Sequence, residues 1–331
     1  MNTLLDRRSF MIASGGVGIA MLAGCSAGGS AAAFPDRDIN FIIPYAPGGG
    51  FDSYARIVID PMANALAKLA RKVNIVPMNI EGAGGGKATS QLFHAKPDGY
   101  NIAIISIPGA IVQQLIQGKE GYDLTQMSWI GNMGTDAFGV AVGAHSPIKS
   151  IADMQALSKR RAIKFTSTGA GSTGRAGALI ASKLLGINSQ VITGYKGTSE
   201  YLVAAARGDG DAAVCSLTAM QGLARANVIR IIASFEAKSS IPGVQDATAL
   251  GQPELTKIAE TRPIAGPPNL PKNIQSTLAD ALNKALKSPE VTSWAQKNGA
   301  NLVPATPEET LKIVQDQTAF INKWKDILGK M

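Results

Sequence analysis

From residue 34 onward, short apolar runs alternate with amphipathic stretches, and this alternation restricts the fold more than any other feature of the chain. Strands are predicted over 39–44, 73–78, 101–107, 162–166, 190–193, 211–217 and 228–235, and helices over 53–71, 86–95, 175–185 and 199–207. A strand repeats every two residues and an amphipathic helix about every 3.6. When the two patterns alternate, each helix carries the chain back across the sheet, so neighbouring strands run parallel and both faces are covered. The reading is an α/β fold of mostly parallel sheets flanked by helices. Gly186 and Gly208 follow helical runs, where glycine commonly ends a helix.

The tail is helical. Ile274, Leu278, Leu282 and Leu286 recur every four residues as one stripe, and Thr306-Pro307-Glu308-Glu309 forms a capping box with proline at the first helical position. Leu311, Val314, Ile321, Trp324 and Leu328 follow on one face. A chain of 331 residues, 45% hydrophobic and 17% charged, is ordinary for folded protein and long enough for two cores. The two groups of strands predict two lobes, with crossings near 131–139 and 234–243. One lobe comprises 34–135 plus 236–331, and the other 136–235.

The first residues read as an address. Arg7-Arg8-Ser9-Phe10-Met11 has the paired arginines of a twin-arginine export signal. The apolar stretch over 10–22 is too short to span a bilayer comfortably. It closes on Leu22-Ala23-Gly24-Cys25, which resembles the lipobox of bacterial lipoproteins. The expectation is a signal peptide over 1–24, a lipid on Cys25 and a flexible tether over 25–33, with an uncleaved signal anchor as the alternative. The mature protein would sit in the periplasm or on the outer face of the cytoplasmic membrane, anchored by its lipid. Cys215, the second of two cysteines, then has no disulfide partner, and its apolar neighbours suit a buried thiol.

The formal net charge is +8, but the basic residues are scattered and not interleaved with aromatics. That argues against nucleic acid as a partner and supports a mild attraction to anions. His94 and His145 are the only histidines, and both fall where surface residues are expected. Neither H-E-x-x-H, C-x-x-C nor G-x-S-x-G occurs, so no metal, cofactor or catalytic role is expected.

Three glycine-rich turns each follow a strand and open a helix: Pro47-Gly48-Gly49-Gly50-Phe51-Asp52, Gly82-Ala83-Gly84-Gly85-Gly86 and Gly169-Ala170-Gly171-Ser172-Thr173-Gly174. In parallel sheets ligands bind at this end of the strands. Helix starts offer unpaired N–H groups and partial positive charge, so converging starts suit a carboxylate or phosphate. Any one loop is equally readable as a tight turn. The third matches G-x-G-x-x-G, but the strand after it is followed by Gly194-Tyr195, with no acid to hold a ribose. In the second, Glu81 and Ala88 stand where a phosphate loop needs glycine and Ser/Thr.

These segments resemble the substrate-binding proteins of tripartite tricarboxylate transporters, the Bug family, across about residues 35–331. The resemblance is carried by Tyr45-Ala46-Pro47-Gly48-Gly49-Gly50-Phe51-Asp52 with Ala55-Arg56, by Asn79 through Gly85 with Pro97-Asp98-Gly99-Tyr100, by Gly171-Ser172 and by Tyr195-Lys196-Gly197. It implies a two-lobed periplasmic-binding-protein fold, a small organic carboxylate as ligand, and large and small permease subunits as partners. Carried over by position, it implies ligand contacts from Gly48, Gly49, Gly50, Asp52, Gly84, Gly85 and Ser172, with Tyr195 and Lys196. Pro47 and Thr173, within the same loops, and Arg175, just after the third, complete the candidate set. Phe51, Glu81 and Arg175 depart from the family's usual residues, which bears on the ligand's identity. Plainer roles stand beside these: Asp52 as N-cap of a helix from 53, Arg175 and Lys196 at the surface, Tyr195 in packing. A lipoprotein sensor presenting its ligand to a signalling receptor is the alternative to a transport receptor.

Overall fold

The computed structural model describes residues 34–68, 72–118 and 121–329. The expected signal peptide (1–24), the tether (25–33) and Cys25 lie outside them.

The first sheet is seeded by β1 (Ile39–Ile43), which runs parallel between β2 (Ile75–Asn79) and β3 (Asn101–Ile104). Helix α1 (Gly50–Ala67) joins β1 to β2, and α2 (Gly86–Phe93) joins β2 to β3. Helix α3 (Gly109–Gln117) then leads to β4 (Ser128–Gly143), a strand of 16 residues that serves both sheets. The second sheet follows as α4 (Ile151–Ser158), β5 (Ile163–Thr166), α5 (Thr173–Leu184), β6 (Ser189–Ile192), α6 (Thr198–Arg207), β7 (Ala212–Ser216), α7 (Leu217–Arg225) and β8 (Ile229–Ser234). Strand β5 is parallel to both β6 and β7. The end of β4, from Phe138, pairs antiparallel with β7 and β8.

The return to the first sheet is β9 (Ala259–Gly266), antiparallel to β4 from Ser128↔Gly266 to Ala137↔Ala259 and to β3 on its other side. Helices α8 (Lys272–Leu286) and α9 (Pro289–Asn298), strand β10 (Leu302–Ala305), helix α10 (Pro307–Asn322) and helix α11 (Lys325–Leu328) complete the chain. Each sheet with its helices is one lobe of a two-lobed α/β fold, and β4, which pairs into both sheets, connects them.

Three packed clusters follow from this layering. On one face of the first sheet, Tyr54, Val58, Met62 and Leu66 of α1 meet Leu278, Leu282 and Leu286 of α8. Full burial of each such aliphatic side chain contributes roughly 1.5–3 kcal/mol. The opposite face shares a cluster with the second lobe, running from Leu92 and Ile111 to Phe138, Phe165 and Ile180. Helices α6 and α7 cover the far face of the second sheet through Tyr201, Leu202, Leu217 and Met220. The capping box at Thr306 and Glu309 is present, and Gly208 ends α6 with φ +96°. Leu311, expected on the buried stripe of α10, is 37% exposed.

Candidate functional site

The four loops that leave β1, β2, β5 and β6 meet along the seam between the lobes. In the first, Gly48 has φ +81° and its N–H donates to Asp52 Oδ2 at 2.9 Å. Helix α1 begins at Gly50 with Gly49 as its cap residue, so Asp52 sits within the first turn and does not cap the helix. The chain enters the helix three residues earlier than expected because glycines tolerate that entry. Asp52 braces the loop instead: Arg56 Nε donates to both of its oxygens at 2.9 Å and Asn79 Nδ2 to Oδ1 at 3.0 Å. Burial pushes this carboxyl up, but the bonds from Arg56, Gly48 and Asn79 outweigh it and hold it below the ordinary range. Pro47 is exposed at the loop's tip.

In the second loop Gly82, Ala83, Gly84 and Gly85 all have positive φ. Tyr45 Oη donates to the Gly84 carbonyl at 2.8 Å. A Cβ on Gly84 would stand 2.8 Å from the backbone nitrogen of Ser172, so the second and third loops touch backbone to backbone across the seam. Ser172 caps α5, accepting from the Arg175 N–H at 3.3 Å, and shares a hydrogen bond with Ser167 at 2.9 Å. Thr173 Oγ1 accepts from the Gly109 N–H at 2.9 Å and lies 3.0 Å from Ser106 Oγ. Gly84, Gly85, Ser172 and Thr173 are thus brought together, and both hydroxyls are buried and engaged.

The fourth loop carries Tyr195 and Lys196. Lys196 is exposed and its N–H donates to Glu200 Oε2 at 2.7 Å. A cavity of about 280 Å³ opens between this loop and the second and third, lined by Tyr45, Gly84, Gly169, Tyr195 and Lys196 among others. Arg175 lines neither this cavity nor the one described next. Its guanidinium donates to the carbonyls of Ala170 and Leu328, both at 3.0 Å, tying the third loop to α11.

A second cavity, of about 200 Å³, lies at the start of α1. Gly48, Gly49, Gly50 and Tyr54 line it from the first lobe, with Trp294 of α9; Ser199, Thr218 and Gly222 line it from the second. Its floor includes Arg262 of β9, whose Nη1 lies 2.7 Å from Asp136 Oδ2 with both side chains 2% exposed. The guanidinium stacks 4.2 Å from the centre of the Tyr54 ring, and Tyr54 Oη donates to Asp136 Oδ1 at 3.0 Å.

Between the two cavities lies a buried polar cluster centred on Glu260. Its Oε1 accepts from Ser106 Oγ at 2.9 Å, and Tyr45 Oη reaches the same Ser106 at 3.2 Å. Burial pushes the Glu260 carboxyl up to about 8, against the pull of Arg262 and the Ser106 hydrogen bond. Arg262, Asp136, Glu260, Tyr54, Ser106 and the α7 residues were not among the sequence candidates. A legible signal was Glu260-Thr261-Arg262, two charges two apart within a short run that is otherwise apolar or small. Away from the seam, Cys215 is a free, buried thiol, and His94 and His145 are exposed.

The family described as "Tripartite tricarboxylate transporter family receptor" matches residues 55–331. The chain is 25% identical over 315 residues to Protein BugT of Bordetella pertussis, covering 92% of this chain and 93% of that protein. It superposes on MatC from Rhodopseudomonas palustris, a structure with bound malate, with a TM-score of 0.80 and 22% identity, covering 89% of this chain and 100% of that one. An R. palustris protein with adipate gives a TM-score of 0.74 at 22% identity, over 89% of this chain and 98% of that one.

Proposed function

The chain belongs to the tripartite tricarboxylate transporter receptor family, and on that premise we propose that it captures a small carboxylate-bearing organic anion between its lobes and delivers it to a membrane transporter. The observation that carries this reading is the convergence of the starts of α1, α2, α5 and α6 on one seam that holds two cavities. Helix starts present free N–H groups and positive potential, which suits an acid and leaves its body unconstrained. Structures of similar fold that hold malate and adipate support a small acid.

In this reading the amides of Gly49, Gly50 and Gly84 face the acid, with Tyr195 and Lys196 at the rim; the Gly48 and Gly85 amides, taken by Asp52 and the Gly82 carbonyl, shape their loops and do not meet the ligand. Pro47 shapes the first loop and Asp52 braces it, Ser172 and Thr173 join the lobes, and Arg175 positions the third loop. The receptor performs no reaction. Its proposed partners are a large and a small permease subunit, reached by a protein exported under residues 1–24 and tethered by a lipid on Cys25. The lobes are proposed to part within β4, with residues 34–135 on one side and 136–235 on the other; the change of sheet between Ala137 and Phe138 supports that limit.

The test is a thermal-shift panel of mono-, di- and tricarboxylates, aromatic acids and amino acids, each beside its methyl ester or amide. A ligand at a hundred times Kd stabilises the folded form by about 2.7 kcal/mol, which for a chain this long is a rise of roughly 5–10 °C. Gly49→Val should lose the response. Hits that survive esterification would overturn the carboxylate reading.

A further inference from the structure

We infer that Arg262 reads the charge of the bound acid, making the 200 Å³ cavity at the start of α1 the subsite for a full carboxylate. The inference rests on the receptor reading above and assigns the acid a charged side-chain partner in addition to backbone amides.

Arg262 is 1% exposed, yet its fork faces a single carboxylate. Nη1 lies 2.7 Å from Asp136 Oδ2 as an ion pair, but neither of those atoms completes a hydrogen bond, and Nε is likewise buried with no hydrogen-bond partner. Nη2 lies 3.7 Å from the point where a side chain on Gly50 would begin, beside the first amides of α1. Buried donors without acceptors are uncommon because their lost hydration goes uncompensated. A carboxylate entering the cavity meets Nη2 with one oxygen and the α1 amides with the other, a charge-assisted geometry that suits a planar guanidinium.

The guanidinium is also held still before any ligand arrives. The Tyr54 and Phe51 rings lie 4.2 and 5.2 Å from its central carbon, and Asp136 fixes its far corner. Asp136 is itself pinned by Tyr54 Oη and by the Asn301 N–H at 3.3 Å. Asp136 therefore serves as a fixed counter-charge and leaves Nη2 for the cavity. Gly50 keeps a side chain off Nη2, and across the seam Gly222 leaves open space, with no atom within 4 Å of an added Cβ. The volume is below the roughly 300–1,000 Å³ of pockets for drug-sized ligands, which fits a compact acid. Because α1 and β9 belong to one lobe and Ser199, Thr218 and Gly222 to the other, an occupant here bridges both.

The experiment titrates acetate, succinate, adipate and citrate, each beside its amide, into the full chain by calorimetry. Arg262→Met should weaken the best acid at least tenfold and collapse its preference over the amide. Gly222→Leu, which crowds the cavity from the second lobe where an added Cβ meets no atom within 4 Å, should weaken the acid as much while the unliganded protein melts as before; it keeps the test sound if Arg262→Met does not fold. If an acid binds the parent chain and Gly222→Leu or a folded Arg262→Met binds it equally well with the same preference over the amide, the assignment to Arg262 is overturned and the receptor reading stands. If no acid binds the parent chain, both fall.

Discussion

Arg262 and Asp136 form an ion pair at 2.7 Å in which both side chains are 2% exposed, on the paired strands β9 and β4. Removing one member of such a pair strands the other charge in a dry setting, which costs roughly 3–5 kcal/mol, whereas neutralising both together is far milder. Asp136→Asn should therefore lower unfolding stability by about 3–5 kcal/mol. The double variant Asp136→Asn with Arg262→Met should recover most of that loss, since the Asn carbonyl still accepts from Tyr54 and Asn301. Chemical denaturation of the two variants decides it. A single variant within about 1 kcal/mol of the parent would show that water already screens the pair.

The position of Arg175 predicts a different phenotype. Its guanidinium bonds the carbonyls of Ala170 and Leu328, so Arg175→Ala should loosen both the third loop and α11. Each hydrogen bond to a charged group contributes about 1.5–3 kcal/mol, and the local loss should be of that order. Hydrogen exchange should quicken over 325–328 and around 170. Weakened ligand binding with unchanged exchange there would instead put Arg175 in contact with the ligand.

The export reading concerns residues outside the described structure and stands on the Arg7-Arg8 pair and the segment ending at Cys25. Cys25→Ala should abolish lipid labelling and release the protein from membranes, and changing both arginines to lysine should trap precursor in the cytoplasm. Lipid labelling that persists in Cys25→Ala would exclude the lipobox.

The sequence made the alternating elements legible because strands such as β1 and β7 are short, nearly fully buried apolar runs, while helices such as α1 and α6 bury one stripe. It hid β4, which joins the lobes, and β9, which pairs beside it. Strand β4 carries Gly131, Gly134, Gly139 and Gly143, a composition that reads as a loop. Yet a Cβ on Gly139 would stand 2.5 Å from the Ala233 carbonyl, so the glycine records the close approach of β8 and not a turn. Strand β9 buries Glu260 and Arg262, residues that single-sequence reasoning places in solvent. The same blindness shaped the candidate site. Glycine loops announce themselves locally, so Gly48–Gly50 and Gly84–Gly85 were visible, but Arg262 faces its cavity only through pairing with a strand more than a hundred residues away. The surface role read for Arg175 fails for the matching reason: the residue is 8% exposed, and its partner at Leu328 lies 153 positions on.

Glu260 gives the fold a defined pH response. Burial raises its carboxyl from an ordinary 4.5 to about 8, with Asp136 adding to the rise while Arg262 and the hydrogen bonds from Ser106 and Thr173 oppose it. A group whose pKa is higher in the folded state binds more protons there than when unfolded, so stability falls as pH rises between the two values. Its contribution is fully present below about 4.5, is lost as pH climbs through about 8, and is flat above that. Each unit of difference is worth about 1.4 kcal/mol, so the total is on the order of a few kcal/mol. Other carboxyls, such as Asp52, are held below the ordinary range and act in the opposite sense at lower pH. The difference between the parent chain and Glu260→Gln isolates the effect, because glutamine keeps an acceptor for Ser106 and cannot titrate. Unfolding stability measured from pH 5 to 9 should decline more steeply in the parent than in Glu260→Gln, with the two curves diverging by pH 8. An anion bound near Arg262 should favour the protonated carboxyl further, so binding should take up a fraction of a proton near pH 8 in the parent and none in the variant. Parallel stability curves for the two proteins would mean that Glu260 stays ionised in the fold and that its neighbours, not its burial, set its charge.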